Sequence, residues 1–453
     1  MKQIDIPQKP SDVTWTDDQW KAIMANGQDI LVAAAAGSGK TAVLVERIIQ
    51  KIAAANPINV DELLVVTFTN ASAAEMKHRI GEVLEKELNA NPASQHLRKQ
   101  LALLNKAHIS TIHSFCLEVI RRFYYLIDLD PGFRIADDTE AQLLRDECLE
   151  ILFEEEYGNL ENHAFFDVVD AFTNDRSDDA LQKIIQEVYD FSRANPSPNA
   201  YLSSVIKMYE LEEDSKIEEL PFAEELLFDI SLHLDGAKKL LEYGRELTKR
   251  AGGPAPREVN FKEDLALVDV LIQAKNDGWQ TLYEAMQSLK FTRAKPCKGD
   301  QYLLELVEEA QKVREKAKKI LQELQSELFS RMPQSFLRDM KEMRPYVETL
   351  VELVQKFSKL YQAAKAEKGL VDFADLEHFC LEILNDPEAA AENKISPSSA
   401  AQVYQSQFKE VLVDEYQDTN LVQESILKLV TADEEANGNL FMVGDVKQSI
   451  VRP

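Results

Sequence analysis

No stretch of this 453-residue sequence approaches 18 consecutive apolar residues, so no membrane span is expected. Cysteine is scarce: Cys116, Cys148, Cys297 and Cys380 lie far apart, with no CxxC pair. That usage excludes a zinc site and a disulfide framework and fits the reducing cytoplasm. The segment Met1 to Pro10 is polar and lacks an apolar core, which gives no signal peptide. Basic charge is also in short supply, with 51 Lys and Arg against 78 Asp and Glu, a net charge of −27. Taken alone, that balance argues against a nucleic-acid partner. Its distribution softens the objection, because residues 1–120 carry 12 basic against 13 acidic side chains. The densest acidic run, Met208 to Asp229, reads as a solvated face. Nucleic-acid binding depends on the local field of a groove, so net charge permits such a partner without supporting one.

What is present is a globular composition, 45% hydrophobic and 28% charged, in a chain long enough for two or three domains. The first 130 residues alternate short apolar runs with helical patterns. Ile30-Leu31-Val32 leads through a glycine turn into a helix over Lys40 to Ile52. Leu63 to Phe68 reads as a second strand, followed by a helix from Ala71 to Leu88. A shorter strand near Ile109 precedes a helix over Ser114 to Leu126. This is the βαβ rhythm of a parallel sheet. From Asp137 to Lys368 long amphipathic helices take over, broken near Pro196, Gly252-Gly253-Pro254 and Pro296. Within them Val307, Ala310, Arg314, Ala317, Leu321, Leu324 and Leu328 form a short heptad, which reads as a packed helical hairpin. Strand character returns at Val411-Leu412-Val413 and at Leu440 to Val443, with a helix from Leu421 to Val430 between them. The expected fold class is therefore α/β, a parallel sheet begun at one end of the chain, finished at the other and interrupted by a large all-α insertion.

The segment Ala34-Ala35-Ala36-Gly37-Ser38-Gly39-Lys40-Thr41 follows a strand and opens a helix. Consecutive backbone N–H groups in that setting cradle phosphate oxygens, aided by the positive helix end. Lys40 would reach the β- and γ-phosphates of ATP, and the Thr41 hydroxyl would ligate Mg²⁺. The strict pattern has glycine where this chain has Ala34. Val411-Leu412-Val413-Asp414-Glu415 supplies the second half of such a site: Asp414 to hold the magnesium, Glu415 as general base on the attacking water.

Further segments narrow the reading. Thr16-Asp17-Asp18-Gln19 resembles the Q motif of superfamily 1 helicases, whose glutamine reads the adenine edge. Thr67-Phe68-Thr69-Asn70 with Ala73-Ala74-Glu75-Met76 and Arg79 resembles motif Ia, and Ser110-Thr111-Ile112-His113-Ser114-Phe115 motif Ib. Val371-Asp372-Phe373-Ala374-Asp375-Leu376 resembles the DFxDL segment of UvrD-like enzymes. Asp414-Glu415-Tyr416-Gln417-Asp418 looks like motif II, and Gly444-Asp445-Val446-Lys447-Gln448-Ser449-Ile450 like motif III. The alanine-rich lead into Gly37 and the wide separation of His113 from Asp414 resemble the AddA family, one of the two chains of AddAB-type helicase–nucleases. UvrD- and PcrA-type repair helicases are the next resemblance.

The resemblance implies a RecA-like P-loop NTPase lobe in two parts, residues 1–136 and 369–453, around a helical insertion over 137–368. It implies an ATP-dependent DNA helicase motor with 3′–5′ single-strand translocation, an AddB-type partner, and nuclease activity on a region outside this chain. Gln448 would sense the γ-phosphate. Phe68 and His113 would lie along single-stranded DNA, with Thr69, Asn70, Thr111 and Ser114 near its phosphates. Stacking suits a motor that ignores sequence, since every base has a π-face. A core aromatic at Phe68 and a locally bonded helix-start residue at His113 remain open. His108 and His378 read as structural, and Lys312, Arg314, Lys316, Lys318 and Lys319 as a solvated helix face. Motif III runs into Val451-Arg452-Pro453 where the family has an aromatic, an arginine and another aromatic. With one wall of the ATP site, the chain is expected to be a truncated form, inactive alone; a non-hydrolysing ATP- and DNA-binding module is the alternative. An SMC-like ATPase is disfavoured, because Ser396 to Gln407 contains no glycine for its signature loop.

Overall fold

A computed structural model describes residues 6–11, 13–35, 37–54, 56–173, 177–432 and 438–445. Seven strands occur among them: β1 (Ile30–Ala33), β2 (Leu63–Thr67), β3 (His108–Thr111), β4 (Arg134–Ile135), β5 (Leu370–Val371), β6 (Glu410–Val413) and β7 (Leu440–Gly444). Five form one parallel sheet in the order β1-β7-β6-β2-β3. The two strands from late in the chain, β6 and β7, sit between β1 and β2, so the sheet is completed only when residues beyond 409 return to it. β4 and β5 pair in parallel as a separate two-stranded ribbon.

Why these segments are strands is visible in their burial. Every residue of β2 and β6 is buried, as expected for central parallel strands covered on both faces. Period-two alternation then divides them. Leu64, Val66, Val411 and Val413 face one core with Phe115, Val119, Tyr404 and Phe408. Leu63, Val65 and Leu412 face the other, with Leu44, Ile48, Met76 and Ile80. Each fully buried side chain of this size contributes about 1.5–3 kcal/mol. The second core is covered by α1 (Asp17–Met24), α2 (Lys40–Ala53), α3 (Asn70–Ala90) and α4 (Gln95–Leu103). The first is covered by α5 (Ile112–Phe123) and by helices from late in the chain. Helices after strands start on short polar caps: Thr69 accepts from Ser72 N before α3, and Thr111 from Ser114 N before α5. Buried Arg47 on α2 donates to Glu410 at the start of β6 (2.5 Å), fastening helix to sheet.

Helices follow from α6 (Asp138–Gly158) through α7 (His163–Phe172), α8 (Asp179–Arg193), α9 (Pro198–Lys207), α10 (Ala223–Lys249), α11 (Glu258–Asn276), α12 (Trp279–Gln287) and α13 (Leu304–Leu328) to α14 (Pro333–Glu367). The late helices are α15 (Phe373–Leu384), α16 (Pro387–Ala391), α17 (Ser399–Gln407) and α18 (Leu421–Val430). The helical stretch is not one compact body over 137–368. Residues 203–351 form a unit of their own, whereas 1–202 and 352–453 form the sheet-bearing unit. The reason is packing: Tyr189 of α8 sits against Phe357 and Tyr361, and Arg193 pairs with Asp375 of α15 at 3.0 Å.

Within the 203–351 unit the heptad of α13 packs as expected, with Ala310, Arg314, Ala317, Leu321 and Leu324 buried in a core shared with α10, α11 and α12. Arg314 does not belong to a solvated basic face. It donates to Asp264 at 2.5 and 2.9 Å and to Thr292 O at 3.0 Å, all at buried or half-buried positions. Lys318 lies over the Phe291 ring at 4.9 Å, while Lys312, Lys316 and Lys319 are exposed. Among the described residues no helix is long and apolar enough to cross a membrane.

Candidate active site

The loop between β1 and α2 leaves the sheet beside β7, where Ala34 N donates to Gly444 O at 2.9 Å. Gly37 and Gly39 adopt left-handed conformations, with φ of 74° and 84°, which only glycine takes without strain. Gly39 is the cap of α2, and a Cβ there would stand 3.3 Å from Gln19 Nε2. Lys40 and Thr41 are thus the first residues of a helix whose free N–H groups and dipole present positive potential. Gln19 lies beside the loop, donating to Ser38 O at 2.9 Å while its Oε1 accepts from Thr16 N at 2.9 Å. Ala36 lies outside the described residues.

The strand β6 ends in Asp414 and Glu415. Asp414 N continues the ladder to Val66 O at 2.9 Å, after which Glu415 turns the chain with φ of 53°. A left-handed residue that is not glycine costs roughly 1–3 kcal/mol and marks a site whose surroundings hold it there. Glu415 Oε2 accepts from Lys40 Nζ at 2.7 Å and from Gln417 Nε2 at 2.9 Å. Gln417 Oε1 also accepts from Asp445 N at 2.8 Å, so one amide ties the turn after β6 to the end of β7. Gly444 must be glycine, because a Cβ would come 2.7 Å from Gln417 Oε1.

The two carboxylates are driven apart in acidity. Burial, with Glu415 alongside, pushes Asp414 up to about 6. Burial also opposes ionisation of Glu415, but hydrogen bonds from Lys40 and Gln417 and the Lys40 charge outweigh it and hold this carboxyl below its ordinary value. At neutral pH the pair therefore combines one secured anion with one buried carboxylate that lacks a full counter-charge.

The neighbouring strand ends carry the remaining candidates. Phe68 follows the last residue of β2 and is 53% exposed, so it is not a core aromatic. Thr69 and Thr111 cap helices; Thr111 Oγ1 lies 3.0 Å from Ser114 Oγ and 3.5 Å from Asn70 Oδ1. His113 Nε2 lies 3.0 Å from Glu377 Oε1, and its ring packs on Phe373 with centroids 5.0 Å apart. A small cleft of about 60 Å³ has Thr67, Phe68 and His113 in its lining together with Asp414 and Glu415. Both sets of candidates thus meet at the carboxyl ends of adjacent parallel strands, where open α/β sheets place their ligands. Gln448, with Val446 to Pro453, lies outside the described residues.

The sequence profile of the UvrD/REP helicase N-terminal domain matches residues 15–251 and 260–452. The chain belongs to the UvrD/REP helicase family. Curated relatives are named as the A subunits of ATP-dependent helicase/nucleases. That of Bacillus licheniformis is 59% identical over 445 residues, 98% of this chain and 36% of the relative. That of Geobacillus thermodenitrificans is 55% identical over 447 residues, again 98% and 36%. The chain spans about 36% of the length of these relatives.

Two residues of this UvrD/REP domain gain roles that sequence pattern does not give them. Gln417 is more than a member of motif II, since its amide joins two strand ends. Glu377 belongs to no motif and is buried on α15 between Leu376 and Cys380. An acid inside an apolar helix stripe is the signal that marks it, since a buried charge needs partners. A larger cleft, about 920 Å³, opens elsewhere in the same unit among Arg193, Lys365, Asp375 and His378. Its charges satisfy one another: Lys365 Nζ lies 2.8 Å from Asp372 and 2.5 Å from Asp375. His378 Nε2 is 2.8 Å from Arg193 O, and burial with the Arg193 charge pushes this imidazole down to about 4. That is a structural histidine. His108, 3.2 Å from Glu118 and 2.9 Å from Gln407, is held in the same way.

Proposed function

We propose that this chain is the ATP-binding lobe of a DNA motor, and that the longer protein it matches is an ATP-dependent helicase and nuclease. The observation that carries the reading is the cleft with Asp414 and Glu415 at one side and Phe68 and His113 at the other. Lys40 and the loop Ala34–Thr41 take the triphosphate. Glu415 orients and deprotonates the attacking water, since a carboxylate already held as an anion can accept that proton. Gln19 reads the adenine by exchanging its contacts with Thr16 N and Ser38 O for the base edge. Gln448 senses the γ-phosphate. Phe68 and His113 hold the single strand, with Thr69, Asn70, Thr111 and Ser114 near its phosphates.

The donor set suits magnesium. Among the described residues no cluster of three or more His, Cys, Asp and Glu could hold a metal alone, so a cation here takes most ligands from phosphate and water, as Mg²⁺ does. Thr41 and Asp414 would hold it, and it would neutralise charge on the β- and γ-phosphates.

In the whole protein, the names of the relatives support an AddA-type chain that works on DNA ends beside an AddB-type partner, moving 3′–5′ along one strand. The helical unit 203–351 is the motor's insertion, and the four unpaired cysteines fit work in the cytoplasm. Two titrations of the purified chain test the core of this reading. A fluorescent ATP analogue should bind in a magnesium-dependent manner, and a labelled oligo-dT should bind with affinity that falls as salt rises. Failure of either ligand to bind the folded chain overturns the reading.

A further inference from the structure

We infer that Glu377 is a positioning residue that fixes His113 at the single-strand track and joins it to the helix following motif II. The inference rests on the proposed single-strand role of His113. Glu377 is on α15, far from Asp414 in sequence, and its side chain is 5% exposed. Three side chains converge on its carboxylate. His113 Nε2 lies 3.0 Å from Oε1, Gln423 Nε2 donates to Oε1 at 2.7 Å, and Asn420 Nδ2 donates to Oε2 at 3.2 Å. Burial alone would favour the neutral acid. The hydrogen bonds from His113, Gln423 and Asn420 and the histidine's charge reverse this and hold Glu377 below its ordinary value. A buried anion with three donors holds those donors in fixed geometry.

Two of the donors belong to the nucleotide side of the lobe. Asn420 caps α18, accepting from Gln423 N at 2.8 Å, and α18 begins directly after the turn that carries Asp414, Glu415 and Asp418. Gln423 and Thr419 line the same small cleft as Asp414, Glu415 and His113. Glu377 therefore clamps the start of α18 to an imidazole one-third exposed in that cleft, whose other face rests on Phe373. A shift of α18 that accompanies a change at motif II moves the carboxylate and, through it, His113.

Binding of labelled oligo-dT to the wild-type chain, His113→Ala, Glu377→Gln and the double variant tests this, with melting temperature and magnesium-nucleotide affinity as checks of folding. Glu377→Gln should weaken oligo-dT binding about tenfold, keep nucleotide affinity within about twofold, and add nothing in the His113→Ala background. Gln423→Met, which strips one hydrogen bond from the same carboxylate at similar volume, should give a smaller loss in the same direction and keeps the test open if Glu377→Gln does not fold. If His113→Ala weakens binding and Glu377→Gln does not, or if their losses add, the inference is overturned while the single-strand reading stands. If His113→Ala itself has no effect, the single-strand role of His113 fails and the inference goes with it.

Discussion

Lys40 Nζ lies 2.7 Å from Glu415 Oε2, joining the first residue of α2 to the turn after β6 across 375 positions of sequence. The ammonium is nearly buried and the carboxylate about one-third exposed. A triphosphate arriving at the loop competes with Glu415 for this cation, and the two anions repel each other. Glu415→Gln should therefore bind ATP at least as tightly as the wild type while losing the base that activates water. Titration with a labelled ATP analogue checks it; a tenfold weaker variant would mean that Glu415 holds Lys40 in place and does not merely compete for it.

Asp414 gives a pH-dependent outcome. Its folded pKa, raised to about 6, exceeds that of the unfolded chain, so the fold binds this proton more tightly. The stability it contributes is full below the ordinary carboxylate range and is lost as pH rises through about 6. At pH 8 the ligand-free chain carries the whole penalty, on the order of 1–3 kcal/mol. Asp414→Asn should raise the melting temperature more at pH 8 than at pH 5, and should remove magnesium-dependent nucleotide binding. Equal melting temperatures for the two chains at pH 8 would contradict it.

Phe68 is ambiguous in sequence because an aromatic after Leu63-Leu64-Val65-Val66 continues the apolar run; β2 ends at Thr67, and the ring is left exposed. The glycine loop, the carboxylates after β6 and the return of the chain to its first sheet are all legible, because each follows from local pattern: a strand, a turn residue, a helix. The extent of the helical unit is not. Periodicity reports that a residue is helical but not what it packs against, so α6, α8 and the end of α14 cannot be separated by pattern from residues 203–351. Arg314 misleads for the same reason, since a cation in a heptad is a surface charge until Asp264 is found beside it. Glu377 has no motif at all; its role depends on three residues from two other elements.

Single-strand binding gives the outcome for Phe68. Phe68→Ala should weaken oligo-dT binding by roughly 1–3 kcal/mol if a base stacks there. An unchanged affinity in a folded variant would remove Phe68 from the track. The salt slope should change little, because stacking releases no counterions.

Arg314→Ala should destabilise the 203–351 unit by about 3–5 kcal/mol, since it leaves Asp264 buried without its partner. Arg314→Met with Asp264→Leu should recover most of that loss, because matched apolar replacement of a buried ion pair is often neutral. Urea unfolding checks both. An Arg314→Ala midpoint equal to wild type would show that the pair contributes nothing there.

If the loop at Lys40 and the carboxylates after β6 form one nucleotide site, the ammonium between them must carry part of the affinity. Equilibrium titration of a fluorescent ATP analogue, with magnesium, into the wild-type chain and Lys40→Ala tests this most directly. Removing the ammonium should weaken binding about tenfold or more, near 1.4 kcal/mol, with the variant still folded. Equal affinity in the two chains would contradict a shared site.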